Sequence, residues 1–246
     1  MGLPYSTAAL VTTVVTAALA GLARGFSGFG SALIFVPVAS AVLGPRVAVP
    51  LLLLVENATA FPMIPAAWRL ATRREVMVVS AGALAGLPVG VWFLVTLDPV
   101  PLRWGMCILV GAMAVLLASG WHFRGRPTFR LSLAVGAASG LFAGAAEMGG
   151  PPIVAYWLGG HIPAARVRAN VVLFLAVSGA MAVVVFLLGG LLTRDVLLLA
   201  VIVAPAFAAG LWCGSRLFGF ASERIFRRIC LGLIALAAVI GLPLWH

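Results

Sequence analysis

Lysine is absent from this chain and charge of either sign is scarce: only 9% of its 246 residues are charged, where a soluble domain carries roughly a quarter. All sixteen basic residues are Arg, and six acids leave a formal net charge of +10. Clustered, such a balance would suit nucleic acid. Here the Arg stand singly or in small groups between apolar runs, which reads as a topology signal and implies no nucleic-acid partner. Cysteine is equally sparse: Cys107, Cys213 and Cys230 lie in apolar stretches with no CxxC or Cys/His spacing, which argues against a disulfide framework or a metal centre. His122, His161 and His246 are scattered at segment ends and read as interfacial or loop residues. Neither a nucleophile/base pair nor a metal-ligand cluster is in view, so the pattern argues against an enzyme and implies no cofactor.

Apolar residues are plentiful. The chain is 63% hydrophobic with a mean hydropathy of +1.19, more apolar surface than a soluble core absorbs, so its solvent is the lipid bilayer. Spanning segments of about twenty residues are expected at 47–66, 76–96, 103–121, 164–191, 195–217 and 225–244. Loops are expected at Trp68 to Glu75, Leu97 to Leu102, His122 to Arg130, Thr193 to Asp195 and Gly219 to Arg224. Length leaves no room for a soluble domain, so residues 1–246 are read as one transmembrane domain. Nothing basic precedes Arg24, so residues 1–20 do not read as a cleaved signal peptide.

Two regions depart from this pattern, and they match each other. Gly21-Leu22-Ala23-Arg24-Gly25-Phe26-Ser27-Gly28-Phe29-Gly30-Ser31 superposes on Gly140-Leu141-Phe142-Ala143-Gly144-Ala145-Ala146-Glu147-Met148-Gly149-Gly150 with a shift of 119 and no gap. In each, a polar, Gly-rich interruption divides an apolar stretch into arms. Residues 5–23 could span, but 31–43, 131–146 and 151–160 are short. Weaker matches are Arg46-Val47 with Arg166-Val167, Gly90-Val91-Trp92 with Gly210-Leu211-Trp212, and Cys107 with Cys230.

The Arg distribution sets orientation. Arg69, Arg73 and Arg74, then Arg124, Arg126 and Arg130, then Arg166 and Arg168, then Arg216, Arg224, Arg227 and Arg228 mark one side; Arg46, Arg103 and Arg194 the other. Placing the rich side in the cytoplasm satisfies every alternation if each Gly-rich region enters and leaves on one face. The expected fold is therefore all-α and polytopic: two inverted repeats, about 5–121 and 131–244, each a broken-helix hairpin plus three transmembrane helices. Both termini lie outside. Re-entrant hairpins and pairs of short crossings give the same parity. Matched broken helices in two inverted halves point to a transporter's binding site.

At the first break, Gly28 and Gly30 free the backbone and Ser31 is the expected N-cap of a helix over 32–43. A helix N-terminus suits an anion. Arg24, one or two turns earlier, has the fork geometry for an oxyanion, with snorkelling to an interface as the alternative. The glycines alternatively serve close helix packing. At the second break, Gly149-Gly150 precede Pro151-Pro152, which fit the first turn of a new helix. Glu147, matching Gly28, has three open roles: proton or ion coupling, since burial penalises a carboxylate's charged form, helix capping, or an ion pair with an Arg. Glu56 and Asn57 interrupt the run from Val47 to Pro65, and Asn170 lies in the matching segment. Glu56 is the second proton-coupling residue; helix–helix hydrogen bonding competes for both Asn. Trp92, Trp104, Trp157 and Trp212 read as interface-belt or packing residues.

Gly25 through Pro37 and Gly144 through Tyr156, with Pro45-Arg46-Val47-Ala48-Val49 between, make the chain resemble the TauE/SafE family of membrane permeases over essentially its whole length. The resemblance implies a multi-pass plasma-membrane protein moving small sulfur-containing anions, sulfite or an organosulfonate, by secondary transport. The expected substrate-binding set is Arg24, Ser27, Gly28, Phe29, Gly30, Ser31, Met148, Gly149, Gly150, Asn57 and Asn170, with Glu147 and Glu56 carrying protons. A passive anion channel built from the same hairpins, and a permease for another small solute, are the competing readings.

Overall fold

Residues 5–28, 30–119, 128–158, 163–217 and 223–243 are described by the computed structural model, and among them every regular element is a helix. Phe29, His122, Arg124, Arg126, His161 and His246, together with the side chains of Ser27, Arg224, Arg227, Arg228 and Cys230, lie outside the described set. In chain order the helices are α1 (Thr7–Ser27), α2 (Ser31–Leu43), α3 (Pro45–Ala60), α4 (Ile64–Leu70), α5 (Arg73–Thr96), α6 (Pro99–Ser119), α7 (Phe129–Ala146), α8 (Gly150–Leu158), α9 (Ala164–Leu188), α10 (Arg194–Leu217) and α11 (Glu223–Gly241).

Among the described residues, seven stretches are long and apolar enough to cross a bilayer: Thr7–Phe26, Pro45–Leu70, Arg73–Thr96, Pro99–Leu116, Phe129–Ala146, Ala165–Leu188 and Arg194–Leu217. Helix α2, with 13 residues, and α8, with nine, rise only about 20 and 14 Å and fall short of a ~30 Å core. The apolar part of α11, Gly232–Gly241, is also short among the described residues. Exposed Val11, Met77, Ile108, Val184 and Leu188 leave the outer faces apolar, as a lipid-facing surface requires.

Several boundaries differ from the sequence reading: α1 runs on to Ser27 where an arm over 5–23 is expected, and others shift between α3 and α6. The segment expected at 47–66 stops being α-helical at Ala60, passes through a 3-10 turn (Phe61–Met63) and resumes as α4 to Leu70. Pro62 and Pro65 explain the break, since each removes an N–H donor from the helical ladder. The following loop is thereby reduced to Ala71 and Thr72. The loop expected over Leu97 to Leu102 contracts to Leu97 and Asp98, because Pro99 is pre-organised for the first turn of α6.

Two Arg on the Arg-poor side have structural work. Arg46 donates to the carbonyls of Leu94, Val95 and Leu97 at the end of α5. Arg103, 8% exposed, donates to Gly241 O at 3.1 Å and Leu242 O at 3.4 Å at the end of α11. A cation at a helix C-terminus meets unpaired carbonyls and the negative end of the dipole. The tryptophans divide: Trp157 is 1% exposed and packs edge-on to Phe174, whereas Trp92, Trp104 and Trp212 are exposed.

The closest helix packing joins α1 to α10 and α5 to α7. A Cβ on Gly21 would lie 2.2 Å from Phe207 O, and one on Gly25 would lie 2.1 Å from Leu211 O; Gly210 and Gly214 meet Ala18 O and Leu22 O in return. In the other seam Gly140 and Gly144 meet Ala83 O and Leu87 O, while Gly86 and Gly90 meet Ala137 O and Leu141 O. Contacts advance in the same direction along both members, so each pair runs parallel. The contacts of one seam reproduce the other when α1 is shifted by 119 onto α7 (21 to 140, 25 to 144) and α5 by 124 onto α10 (86 to 210, 90 to 214). Gly90 therefore corresponds to Gly214, and the match of Gly90-Val91-Trp92 to Gly210-Leu211-Trp212 is one helical turn out of register.

Lipid offers no hydrophobic drive between helices, so these seams rest on backbone proximity. Gly86→Ala, whose Cβ would sit 1.9 Å from Ala137 O, should cost about 1–3 kcal/mol and lower the unfolding midpoint in detergent. Gly105→Ala, with nothing within 4 Å, should leave it unchanged or slightly raised; equal effects would remove the seam's role.

Candidate functional site

Each helical hairpin turns through a left-handed residue. Helix α1 ends at Ser27, and Gly28 follows at φ +81°, its N–H bonded to Arg24 O at 2.7 Å. Helix α7 ends at Ala146, and Glu147 follows at φ +56°, its N–H bonded to Ala143 O at 2.8 Å. The new helices open at Ser31 and Gly150. All of these positions are related by the shift of 119. Gly28 adopts this backbone freely, but a side chain there is strained. Glu147 is the single non-glycine residue with positive φ among the described residues.

The two hairpins contribute to one cavity. Arg24, in the last turn of α1, forms an ion pair with Glu56 on α3, both side chains 11% exposed. Ser31, the first residue of α2, donates its hydroxyl to the other carboxylate oxygen of Glu56. One carboxylate is thus held by two donors from the two arms of the first hairpin. Asn57, Glu147, Gly149 and Ser178 line the cavity with this pair. Glu147 Oε1 is buried there without a hydrogen-bond partner among the described residues. The cavity volume is about 20 Å³, room for a water and too little for an extended solute.

The structure distributes the expected site residues unevenly. Arg24, Asn57, Gly149, Glu56 and Glu147 line the cavity, and Ser31 reaches it through Glu56. Ser31 is not the N-cap of α2: Gly30 holds that position with no side-chain bond, and the Ser31 hydroxyl is engaged by Glu56 instead. Gly28 and Gly30 shape the turn without lining the cavity. Met148 is 1% exposed in the apolar core, and Gly150 is buried at the start of α8. Asn170, fully buried, accepts a hydrogen bond from Thr72 N at 2.7 Å, tying α9 to the loop before α5 and away from the cavity. For Glu147, the ion pair with an Arg is not formed among the described residues; Arg24 is paired with Glu56.

Two lining residues carry no strong sequence signal. Ser178 is a lone hydroxyl in an apolar helix. Gly179 admits Asn57: a Cβ there would lie 2.5 Å from Asn57 Oδ1, while Asn57 Nδ2 donates to Leu53 O at 2.8 Å. No group of three or more His, Cys, Asp or Glu is placed to hold a metal among the described residues.

The backbone at Glu147 provides a test that separates strain from charge. Glu147→Gly and Glu147→Ala both remove the carboxyl, but only Gly relaxes the left-handed turn, whose penalty is about 1–2 kcal/mol. The Gly variant should unfold several degrees above the Ala variant in detergent; equal midpoints would mean that the turn is not strained.

Comparison with curated proteins and with solved structures finds no significant match. A family model does match: that of the sulfite exporter TauE/SafE, over residues 13–240. With its breaks, spans and cavity in the places described, and the match covering nearly the whole chain, this protein belongs to the TauE/SafE family of membrane transporters.

Proposed function

We propose that this multi-pass membrane transporter exports a small sulfur-containing oxyanion, sulfite or an organosulfonate, with proton coupling and with the cavity between the hairpins as its central site. One observation carries the reading: a guanidinium stands in a small buried cavity with two carboxylates, Glu56 and Glu147, on separate helices. Arg24 supplies the cation that a dianionic or monoanionic head requires, in a fork suited to oxyanions. Asn57 and Ser178 add neutral polar groups. The cavity's size favours a compact head.

Charge balance supports the proton. An uncompensated ion in this setting costs several kcal/mol. An entering monoanion adds one negative charge, and a proton taken up by Glu56 or Glu147 offsets it, so anion binding and proton uptake are linked.

We further propose that residues 5–121 and 131–244 are inverted repeats whose opposed rocking alternates access to the cavity. The parallel course of α1 with α10 and of α5 with α7 supports this. With the Arg-rich side in the cytoplasm, α1 and α10 both descend inward, and α5 and α7 both ascend outward. Both termini then lie outside.

In proteoliposomes, Arg24→Ala should reduce sulfite and methanesulfonate flux by about two orders of magnitude while the protein remains inserted; normal flux would remove Arg24 from the site. An imposed pH gradient should drive uphill accumulation in the wild type, whereas a passive channel would only equilibrate its anion. Glu147→Gln should flatten the pH dependence, and retained coupling would transfer the proton role to Glu56. In a background lacking native cysteines, cysteine at Ser6 should react with an impermeant maleimide added to intact cells. Reaction only after lysis would invert the proposed topology.

A further inference from the structure

We infer that Glu56 is an internal stand-in for the cargo, occupying the oxyanion position on Arg24 and Ser31 until a solute displaces it. This rests on the reading of the cavity as an anion site. Three features point to it. The two donors that a small oxyanion would use, the Arg24 guanidinium and the Ser31 hydroxyl, come from opposite arms of the hairpin and converge on one carboxylate. That carboxylate belongs to a different element, α3, so it can withdraw without dismantling the hairpin. The donors address separate oxygens, Oε2 and Oε1, so the mould they form fits a head with at least two oxygens on one centre.

The occupied and empty forms therefore carry the same local chemistry. A sulfonate or sulfite entering the cavity takes over the bonds to Arg24 and Ser31, and Glu56 leaves them. A released Glu56 carboxylate beside a bound anion would repel it across a poorly screened gap, so the wild-type side chain both occupies the anion's place and opposes its entry. Arg24, Glu56 and Glu147 are the titratable side chains lining the cavity; α9 faces it with Phe174, Leu175 and Ser178. A halide, with a single centre, receives both donors at one point and does not match the two-oxygen spacing of the carboxylate. The mould thus selects oxyanions and makes Glu56 a specificity-determining residue of the site.

The full-length protein in detergent, titrated with methanesulfonate, sulfite or chloride and followed by its thermal midpoint, tests this. Methanesulfonate is a monoanion at neutral pH, so a single charge state is titrated. Glu56→Ala and the shape-preserving Glu56→Gln should bind it about tenfold or more tightly than the wild type at neutral pH, the equivalent of one charge-assisted hydrogen bond no longer contested. Chloride should stabilise none of them. Equal affinity in wild type and both Glu56 variants would overturn the stand-in role while leaving the anion site intact. Stabilisation by chloride as strong as by methanesulfonate would overturn the oxyanion mould. Failure of every anion to stabilise any variant would overturn the anion site itself.

Discussion

A charge held within a hydrocarbon layer has to keep a counter-charge beside it, and the pair of Arg24 with Glu56 is where this protein meets that demand. Taking either ion out of water alone costs several kcal/mol, recovered only if the geometry brings the opposite charge and further hydrogen bonds. Here Glu56 receives both, the guanidinium from α1 and the Ser31 hydroxyl from α2. The same contact closes the first hairpin onto α3. Anything that competes for Arg24 therefore acts on the packing of the hairpin as well as on the cavity; under the proposed site, solute occupancy and helix arrangement would share one interaction.

The frame around that pair is built from backbone proximity. Apolar side chains gain little by leaving lipid for one another, so helices in a membrane associate through close van der Waals contact at small residues. Gly21, Gly25, Gly210 and Gly214 make one such seam; Gly86, Gly90, Gly140 and Gly144 make the other. Each seam pairs one helix from the N-terminal part of the chain, α1 or α5, with one from the C-terminal part, α10 or α7. The hairpin arms α1 and α7 are thereby held against the long helices α10 and α5, while Arg24 at the end of α1 and Glu147 and Gly149 in the second turn line the cavity.

Matching geometry carries unmatched chemistry. The shift of 119 that places Gly28 on Glu147 also places Arg24 on Ala143 and, through the matching starts of α3 and α9, Glu56 on Leu175. One hairpin thus supplies the cation and finds its carboxylate on the next helix. The other supplies a lone carboxylate, in a backbone conformation that glycine would occupy without strain. Strain retained at a polar, buried position is a mark of functional constraint.

Much of this was legible in the residues themselves. Apolar runs of about twenty residues located most of the spans, although Phe129–Ala146 reads as short by sequence, and the gapless match of Gly21–Ser31 with Gly140–Gly150 located both breaks, because spacing along a helix is local. Arg24, Glu56, Asn57 and Glu147 stood out because polar groups are rare in lipid. Sequence could not say which of them meet. That Glu56 engages Ser31, displacing it from a capping role, that Asn170 bonds to Thr72 away from the cavity, and that Gly179 and Ser178 line it, all depend on α3 and α9 packing beside the hairpins. The seam register, with Gly90 matched to Gly214 and not Gly210, was likewise decided only in three dimensions. Composition and local backbone preference determine where a chain in lipid spans and bends, whereas the partners of each buried polar group are chosen by distances between helices far apart in sequence.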